Sequence, residues 1–552
     1  MRISVFATSK SADGVSERLA YASKDFGVLD RLLRLKDAFA LNFAVLFVYV
    51  LVFNREGSFV PGNNEALYLL QPAKLWNPNL LTNDWTFSGP LTTHFIFNLL
   101  VGPLTLLFPL EVVGWIGRLL SWSITLIALF KFGQHFRIPL CMITLSILLW
   151  LLYGQSIVGG EWILGSFEAK CIAYSLLFFS LNGFMHRREV WPAILLGLVF
   201  SFHPLVGLWS ILAVGLALPV LRHSLTAIIR WGFYTGLFAL PGLIPLLMTF
   251  DGGTKEAWRF IALVVIPYHF DPFYFASSNL LVFQLVFLLG FNIIQFAFSD
   301  RTYALRFLIS MQLFLACFFG IGFLARWAEY YDILKLMPGR LFPVLVPLFF
   351  FLHLMSALRD SHRVKHRVAL VVLCLFAFAS FGNPFQIFVE KAKYQYSLWT
   401  RGEEDVQTAF RWIATNTPDD SIVISPPWRG DSFYYSRRAQ IASWWVPRFD
   451  RLTEWRERLE VLTGDLSDVE PPTTKARMEQ MTHYYSQLNE TNIAFLIQRY
   501  GANYLVSSAS YSYPVRFESG SYKVYSLENG EVFKLQAEKF PEDNYECCGI
   551  RA

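Results

Sequence analysis

The sequence predicts an α-helical membrane protein of about 10 to 12 spans with a soluble α/β domain at its C-terminal end. Of the 552 residues, 54% are hydrophobic and only 16% are charged, whereas about a quarter of the residues in a soluble globular protein are charged. The charges are also unevenly placed, because residues 390–552 hold 42 of the 89 Asp, Glu, Lys and Arg residues. We therefore expect lipid to surround the first part of the chain and water to surround the rest.

The first part contains apolar runs that are long enough to cross a bilayer, which takes about 20 residues of helix. The clearest candidate spans are residues 38–53, 168–185, 225–249, 279–299, 304–325, 341–358 and 367–383. The run 191–221 is too long for one ordinary span and contains His203 and Pro204. Because proline cannot continue a helical hydrogen-bond ladder unaided, we predict two short spans in this run.

Basic residues indicate how the spans are oriented. Before residue 390 bases outnumber acids by 28 to 19, and an excess of lysine and arginine is typical of cytoplasmic loops. This rule places residues 1–36 on the cytoplasmic side. It places the segments 54–91, 154–167, 250–278 and 326–340 on the outer side, together with residues 390–552. We interpret the basic excess as this bias and not as a nucleic-acid-binding surface.

The region 92–167 does not fit this orientation simply. An odd number of crossings must join the outer loop 54–91 to the inner basic cluster at 186–188. Four apolar runs lie between them, at 92–110, 111–131, 138–153 and 168–185. One run is therefore expected to be partial or re-entrant, and the candidates are 92–110, which contains two prolines, and the short run 138–153.

Residues 390–552 are predicted to form the soluble α/β domain, and residues 37–389 the multi-span domain. In the soluble domain, helices are predicted at Asp405–Thr415 and Arg451–Leu462, and strands at Ser421–Ser425, Gln440–Trp445, Ala502–Ser507 and Tyr522–Ser526. This alternation indicates a layered domain with a Rossmann-like outline. No glycine-rich phosphate-binding motif occurs in the sequence, so nucleotide binding has little support.

The sequence predicts neither a disulfide framework nor a metal site. Its six cysteines show no paired spacing typical of disulfides or zinc sites. No HExxH, CxxC or GxSxG motif occurs either. The sequence therefore names no cofactor, and it leaves a divalent cation open.

The long first outer loop, 54–91, carries two candidate catalytic carboxylates, Glu65 and Asp84. Glu65 begins the helix-like run EALYLLQPAKLW, and as a general base it would take a proton from an incoming hydroxyl. A carboxylate there would equally complement a helix N-terminus, and Asp84 would equally cap a turn. Asn64 and His94 are candidate substrate-binding residues beside them.

A second group of polar residues interrupts apolar sequence. The segment GGEWILGSFEAK holds Glu161, Glu168 and Lys170. Ionisable residues at membrane depth cost about 2.5 to 3.5 kcal/mol each, which favours a functional role. Glu168 and Lys170 are two positions apart, so on a helix each would need a partner elsewhere. The alternative is a structural ion pair between spans, and for His203, a further candidate, it is a hydrogen bond across helices.

The outer segment 326–340 carries Arg326 and Arg340, the latter within the sequence MPGRLFP. Arginine on the outer face runs against the inside bias, and its forked donors suit a phosphate. We predict that Arg340 binds the phosphate of a lipid substrate and that Arg326 is a further substrate-binding residue. Unspecific insertion of the side chains among lipid headgroups is the alternative.

Several of these segments, PGNNEALYLL, THFIFN, GGEWILGSFEAK, SFHPLVG and PGRLF, resemble a group of bacterial membrane proteins placed near the GT-C superfamily of membrane glycosyltransferases. The likeness covers nearly the whole chain. It implies that Glu65 engages the acceptor, and that Arg340 with Lys170 holds the phosphate of a polyprenyl-phosphate sugar donor. The chain departs from the paired acidic motif of that superfamily, since Asn63 and Asn64 precede a single Glu65.

The leading hypothesis is transfer of a sugar from a polyprenyl-phosphate-linked donor to an acceptor on the outer face of the plasma (inner) membrane. The expected partners are the lipid bilayer and the lipid-linked donor, with no nucleic acid, and the soluble domain is expected to be periplasmic or extracellular. The first alternative is a transporter of a polar or anionic solute, since broken helices often line a transport path. The second is a non-enzymatic scaffold whose soluble domain binds other molecules.

Overall fold

The computed structural model describes residues 37–53, 59–62, 64–89, 93–248, 253–276, 279–298, 302–359, 382–467 and 473–527. The predicted cytoplasmic segment 1–36 and most of the predicted span 367–383 lie outside these ranges. Within them, the chain has a helical part that ends at Arg359 and a mixed part of helices and strands that begins at Pro384.

The helical part consists mainly of apolar helices, because its long runs of leucine, phenylalanine and valine satisfy their backbone hydrogen bonds within each helix. The helices are α1 (Asp37–Phe53), α2 (Glu65–Trp76), α3 (Phe95–Leu107), α4 (Leu110–Gly133), α5 (Leu140–Leu152), α6 (Ala169–Met185), α7 (Val190–Phe202), α8 (Pro204–Val220), α9 (Leu225–Met248), α10 (Lys255–Phe260), α11 (Pro267–Phe270), α12 (Pro272–Ala276), α13 (Asn279–Phe298), α14 (Tyr303–Trp327), α15 (Tyr331–Leu334) and α16 (Phe342–Arg359). A 3-10 turn, Gln134–Phe136, extends α4, and a π-helical turn, Ile261–Val265, follows α10.

Among the described residues, four helices are long and apolar enough to cross a membrane. They are α4 with its 3-10 turn, α9, α14 and α16. Shorter apolar helices, including α1, α6, α7 and α8, accompany them. The helical part is therefore compatible with a multi-pass membrane protein, and the larger number of spans stays a prediction.

The two runs that did not fit the predicted orientation form short helices. Both α3 and α5 contain 13 residues, which gives each a length of about 20 Å at the rise of an α-helix. The hydrocarbon core of a bilayer is about 30 Å thick. Neither helix is long enough to cross such a layer alone, so either run fits the predicted partial crossing.

The predicted break in the run 191–221 is confirmed. Helix α7 ends at Phe202 and α8 begins at Pro204, and His203 between them has an extended backbone with φ −146° and ψ 99°. Pro204 occupies the first turn of α8, where its missing N–H leaves no helical hydrogen bond unmade. The break turns the chain at a buried polar residue, since only 4% of His203 is exposed.

The mixed part contains a five-stranded sheet in the order β2-β1-β3-β5-β4. Strands β2, β1 and β3 are parallel, whereas β5 is antiparallel to both β3 and β4. Its elements are α17 (Pro384–Thr400), α18 (Asp405–Asn416), β1 (Ile422–Ile424), α19 (Ser432–Ser436), β2 (Ala439–Gln440), α20 (Leu452–Thr463), α21 (Thr474–Ser486), α22 (Glu490–Tyr500), β3 (Tyr504–Ser507), β4 (Val515–Ser519) and β5 (Tyr522–Ser526). Helix α17 runs through the predicted domain boundary at residue 390.

The predicted strand Gln440–Trp445 is wrong over most of its length, because strand pairing ends at Gln440. Trp444 is fully buried as a loop side chain, so its aromatic character reflects core packing and not a strand. Strand β4 was not predicted. It lies at the edge of the sheet and all its residues are exposed or half-buried, which leaves a weak hydrophobic pattern.

The helical and mixed parts share one apolar core where α10 meets α20. The ring of Phe260 lies 6.5 Å from that of Trp444 and 6.2 Å from that of Trp455. Nearby, Trp258 stacks on Phe449 with ring centroids 5.9 Å apart. Burial of such large side chains contributes about 1.5 to 3 kcal/mol each, so this core holds the segment 255–276 firmly against the mixed part.

Candidate functional site

Glu65 lies in a fully buried ion pair that joins three distant segments. Its Oε1 accepts hydrogen bonds from Arg118 Nε at 2.8 Å and from the backbone N–H of Phe167 at 2.7 Å. Its Oε2 accepts from Arg118 Nη2 at 2.6 Å and from the backbone N–H of Gly62 at 2.9 Å. The side chains of Glu65 and Arg118 are both 0% exposed.

This environment gives Glu65 a structural role. A general base must have a lone pair that an incoming proton can reach, and each oxygen of Glu65 already accepts two hydrogen bonds. The carboxylate ties the start of α2 to α4 and to the segment before α6. Catalysis by Glu65 stays a prediction without support from this geometry. Asn64 precedes the helix and makes no side-chain capping bond to it.

Asp84 joins the first loop to the mixed part. Its Oδ1 accepts a hydrogen bond from the N–H of Phe87, and its Oδ2 accepts one from the N–H of Gln440 in β2, both at 2.8 Å. Arg448 reinforces this joint by donating to the carbonyl of Trp85 and to Ser88 Oγ. Asp84 therefore positions the mixed part, and the structure does not bring it together with the other candidate residues.

Burial raises the pKa of Asp84 to about 6, because the loss of hydration outweighs the hydrogen bonds from Gln440 and Phe87. A carboxyl whose pKa is raised on folding stabilises the fold most at low pH, and this contribution is lost as the pH rises through about 6. We expect the stability of the joint to fall as the pH rises from about 4 to about 6, and to change little above that. The shift from 3.8 to about 6 corresponds to about 3 kcal/mol at most.

The measurement is hydrogen exchange at the amides of residues 84–88 and 439–441, followed from about pH 4 to about pH 7 after correction for the intrinsic rate. The D84N variant, which has no titratable group there, is the control. In D84N the side-chain amide group would face the N–H of Gln440. The backbone amides of the joint should therefore exchange faster in D84N than in the natural protein at every pH. If the protection of these amides from exchange fell with pH by the same amount in D84N and in the natural protein, the assignment to Asp84 would be wrong.

A cluster of four charged side chains lies in the interior of the helical part. It consists of Glu161, Glu168, Lys170 and Arg340, and we call it the charged cluster. Two glycines shape the first of its segments, because Gly159 and Gly160 have φ of +85° and +59°, a conformation that strains other residues. Arg340 follows a turn in which its N–H donates to the carbonyl of Met337 at 2.9 Å.

Ion pairs connect all four members of the charged cluster. Lys170 Nζ lies 3.0 Å from Glu168 Oε2 and 4.0 Å from Glu161 Oε1, and Arg340 Nη2 lies 3.0 Å from Glu161 Oε2. Lys170 Nζ also lies 3.7 Å from the centre of the Trp162 ring. The two acids and two bases balance, which is how a buried group of charges becomes tolerable.

The expectation that Glu168 and Lys170 cannot pair with each other is wrong. It assumed that both residues are helical, whereas α6 begins at Ala169 and Glu168 precedes it with an extended backbone, φ −130° and ψ 159°. The extended residue directs its carboxylate towards Lys170. The alternative, a structural ion pair between distant segments, is confirmed for Glu161, which pairs with Arg340.

His94 and His203 lie next to each other, with ring centroids 4.8 Å apart. His94 Nδ1 lies 3.1 Å from the carbonyl of Phe202, so this nitrogen must carry the proton. His94 Nε2 is then the acceptor for the hydroxyl of Tyr68 at 3.3 Å. His203 Nδ1 accepts from the N–H of Val206 at 3.3 Å, which caps α8.

The charged cluster borders a small cavity of about 40 Å³. Glu161 and Arg340 line it. His269, which belongs to α11, and Asp271, which follows α11, line it as well. Arg326 does not line this cavity. It pairs with Asp271 at 3.3 Å and lines a larger groove, which Asp271 also lines.

Glu161 differs from Glu65 in how its oxygens are used. Among the described residues, neither oxygen of Glu161 accepts a hydrogen bond of ordinary geometry, and its contacts are the ion pairs with Arg340 and Lys170. A buried carboxylate that accepts no such bond lowers the stability of the fold. Its presence therefore calls for an explanation, such as a functional role. Glu161 is therefore the better placed carboxylate for chemistry at the cavity.

Sequence reasoning missed Arg118, His269 and Asp271. Arg118 is the single charged residue within the apolar stretch 112–130, and a lone charge in such a run calls for a buried partner. That signal would have predicted the pair with a carboxylate. His269 and Asp271 carry no comparable signal, because they lie in a loop-like segment where polar residues are ordinary.

No group of three or more His, Cys, Asp or Glu side chains in the described ranges is arranged to hold a metal ion. A divalent cation therefore gains no support from this geometry. A scan against protein-family models and a search of curated proteins both found no match for this chain.

Proposed function

We propose that this protein is a membrane glycosyltransferase that moves a sugar from a polyprenyl-phosphate-linked donor to an acceptor at the outer face of the plasma (inner) membrane. The mixed part would then be periplasmic or extracellular. The observation that carries the proposal is the Arg340–Glu161 pair beside a cavity, at 3.0 Å and directly before the apolar helix α16. A cation and a carboxylate at such a place suit a reaction in which a lipid phosphate leaves and a hydroxyl loses its proton.

Arg340 is the residue that would hold the donor phosphate. Its guanidinium has five N–H donors in a planar fork, which matches two phosphate oxygens at once. Without a ligand, Glu161 occupies part of this fork. A bound phosphate would compete for the same donors and release Glu161 from its ion pair, while the polyprenyl chain stays among the apolar helices.

The released Glu161 would act as the general base. The hydroxyl oxygen of the acceptor forms a bond to the anomeric carbon of the sugar, and the bond from that carbon to the phosphate oxygen breaks. The phosphate leaves with the bonding electron pair, which Arg340 stabilises, and Glu161 takes the proton of the hydroxyl. Lys170, held 3.0 Å from Glu168, would add positive charge near the leaving group.

A transporter is the second candidate, and the helix break at His203 favours it. Broken helices near buried charges are typical of substrate sites in transporters, and here His203 lies 4.8 Å from His94 by ring centroids. A transporter of a polar solute would not need a polyprenyl phosphate. Binding of that lipid therefore separates the two candidates.

The experiment measures binding of polyprenyl monophosphate to the full chain in lipid nanodiscs, by native mass spectrometry over a range of lipid concentrations. We expect R340Q to weaken binding about 10- to 100-fold, the effect of losing a charged hydrogen-bonding group. R340K keeps the charge without the fork and should lie between. R230Q is the matched control, since Arg230 is also ion-paired, 2.8 Å from Glu189, but lies away from the cavity.

Each variant must first show the elution profile and melting temperature of a folded protein. If folded R340Q binds polyprenyl monophosphate as tightly as the natural protein, Arg340 does not hold the donor phosphate. If the natural protein transports a solute and does not bind the lipid, the transporter is the better description.

A further inference from the structure

A large groove lies between the segment 255–276, the end of α14 and the mixed part. Its volume is about 810 Å³, which is within the usual range of about 300 to 1,000 Å³ for sites that bind small molecules. Elements from both parts of the chain form its walls, and their shared core at α10 and α20 keeps those walls together.

Four arginines line this groove: Arg259 from α10, Arg326 from α14, Arg456 from α20 and Arg477 from α21. Two acids, Glu256 and Asp271, line it as well. Bases therefore exceed acids on the wall by two. Because several cations at one concave surface concentrate its positive potential, the groove favours a ligand with more than one negative charge.

Three of these arginines are held in place before any ligand binds. Arg456 Nε donates to Glu460 at 2.6 Å, and its guanidinium lies 4.6 Å from the centre of the Phe260 ring. Arg477 Nη1 donates to the carbonyl of Val264 at 2.8 Å. Arg326 pairs with Asp271 at 3.3 Å. These contacts fix the positions of the three guanidinium groups at the wall of the groove.

Most of the rest of the wall is apolar or aromatic. Phe273 and Tyr274 line the groove together with Leu263 and Pro267. Flat aromatic faces beside charged donors suit a ligand that has apolar ring faces and negatively charged groups at its edges. A sugar ring with a carboxylate has both features, whereas a simple inorganic anion uses only the arginines.

The groove also adjoins the cavity of the charged cluster. Asp271 lines both spaces, and Arg340 and Glu161 line the cavity beyond it. A saccharide in the groove would therefore reach towards Glu161 with one end. This placement is what an acceptor needs if the donor phosphate sits at Arg340.

We propose that this groove binds an acidic oligosaccharide, a sugar chain that carries carboxylates, as the acceptor of the transfer reaction. The role as acceptor rests on the proposed function, but the binding itself does not. The arginines would donate hydrogen bonds to the carboxylates, and the aromatic side chains would pack against the faces of the sugar rings. Arg259 is the residue to test first, because it is exposed and is the lining arginine whose removal disturbs the fewest described contacts.

The test uses the full chain in nanodiscs and trigalacturonate as the probe, with binding measured by calorimetry at low ionic strength. We expect R259E to weaken binding at least 10-fold, because it replaces an attraction by a repulsion. The matched control is R401E, which reverses the charge of an exposed arginine elsewhere on the mixed part. Its affinity for trigalacturonate should equal that of the natural protein.

Two further ligands test whether binding requires both the sugar rings and the carboxylates of trigalacturonate. Maltotriose, a neutral sugar of similar size, should bind far more weakly, and inorganic phosphate at equal concentration should not displace trigalacturonate. Equal affinity of R259E and the natural protein, equal binding of maltotriose, or displacement by phosphate at equal concentration would each overturn the inference. R340Q should still bind trigalacturonate, so a failure of the donor assignment leaves this result intact.

Discussion

Replacing Glu161 with glutamine is expected to lower the rate of sugar transfer about 100- to 10,000-fold, which is the usual contribution of a general base. Glutamine keeps the shape of the side chain but cannot accept the proton of the acceptor hydroxyl. E161Q should show only a small residual rate in an assay with a lipid-linked sugar and the acidic acceptor.

Glu168 provides a matched control, because it is as deeply buried as Glu161 and pairs with Lys170 at 3.0 Å. E168Q also removes one negative charge from the cluster, but Glu168 does not line the cavity. We therefore expect E168Q to share any loss of stability and to keep a rate of sugar transfer well above that of E161Q. If E161Q and E168Q lose transfer equally, the base is some other group.

Much of the helical part could be predicted because its signals are local. Apolar runs of sufficient length specify helices by themselves, and the predicted run 168–185 corresponds to α6, Ala169–Met185. The break at His203 was also readable, since Pro204 cannot donate a backbone hydrogen bond. In both cases the physical cause lies within a few residues of its effect.

The candidate site was harder to predict because its contacts join distant residues. Glu65 and Arg118 are 53 positions apart, and nothing local to Glu65 shows that a guanidinium will cover it. Similarly, Glu161 meets Arg340 only after α6 to α15 have folded between them. The residue types were informative. Tertiary packing, however, decides which carboxylate has all its hydrogen bonds made and which one faces a cavity.

An error of a single residue had a large effect on the interpretation of Glu168 and Lys170. Their spacing separates them on a helix, but α6 begins one residue after Glu168. Helix ends are the least certain part of any sequence-based assignment. Here the end decides whether two charges pair, so the electrostatics of the cluster followed from a boundary that local sequence does not specify.

The second large effect is expected at Glu65, where alanine should lower the free energy of unfolding by about 3 to 5 kcal/mol. Removing one member of a buried ion pair leaves the other as an unpaired charge, and this cost exceeds the net worth of the pair. E65A would strand the guanidinium of Arg118 and also the backbone donors of Gly62 and Phe167. The measurement is the melting temperature of the full chain in detergent, followed by size-exclusion chromatography.

A double variant tests whether the charge itself is responsible. Replacing Glu65 with leucine and Arg118 with methionine removes both charges, and apolar replacements of buried pairs are often neutral or stabilising. The double variant should therefore melt at a higher temperature than either E65L or R118M alone. E65Q should lose folded protein but retain sugar transfer per folded molecule, since Glu65 holds α2, α4 and the segment before α6 together. An E65Q protein that melts like the natural one but transfers no sugar would instead make Glu65 the catalytic carboxylate.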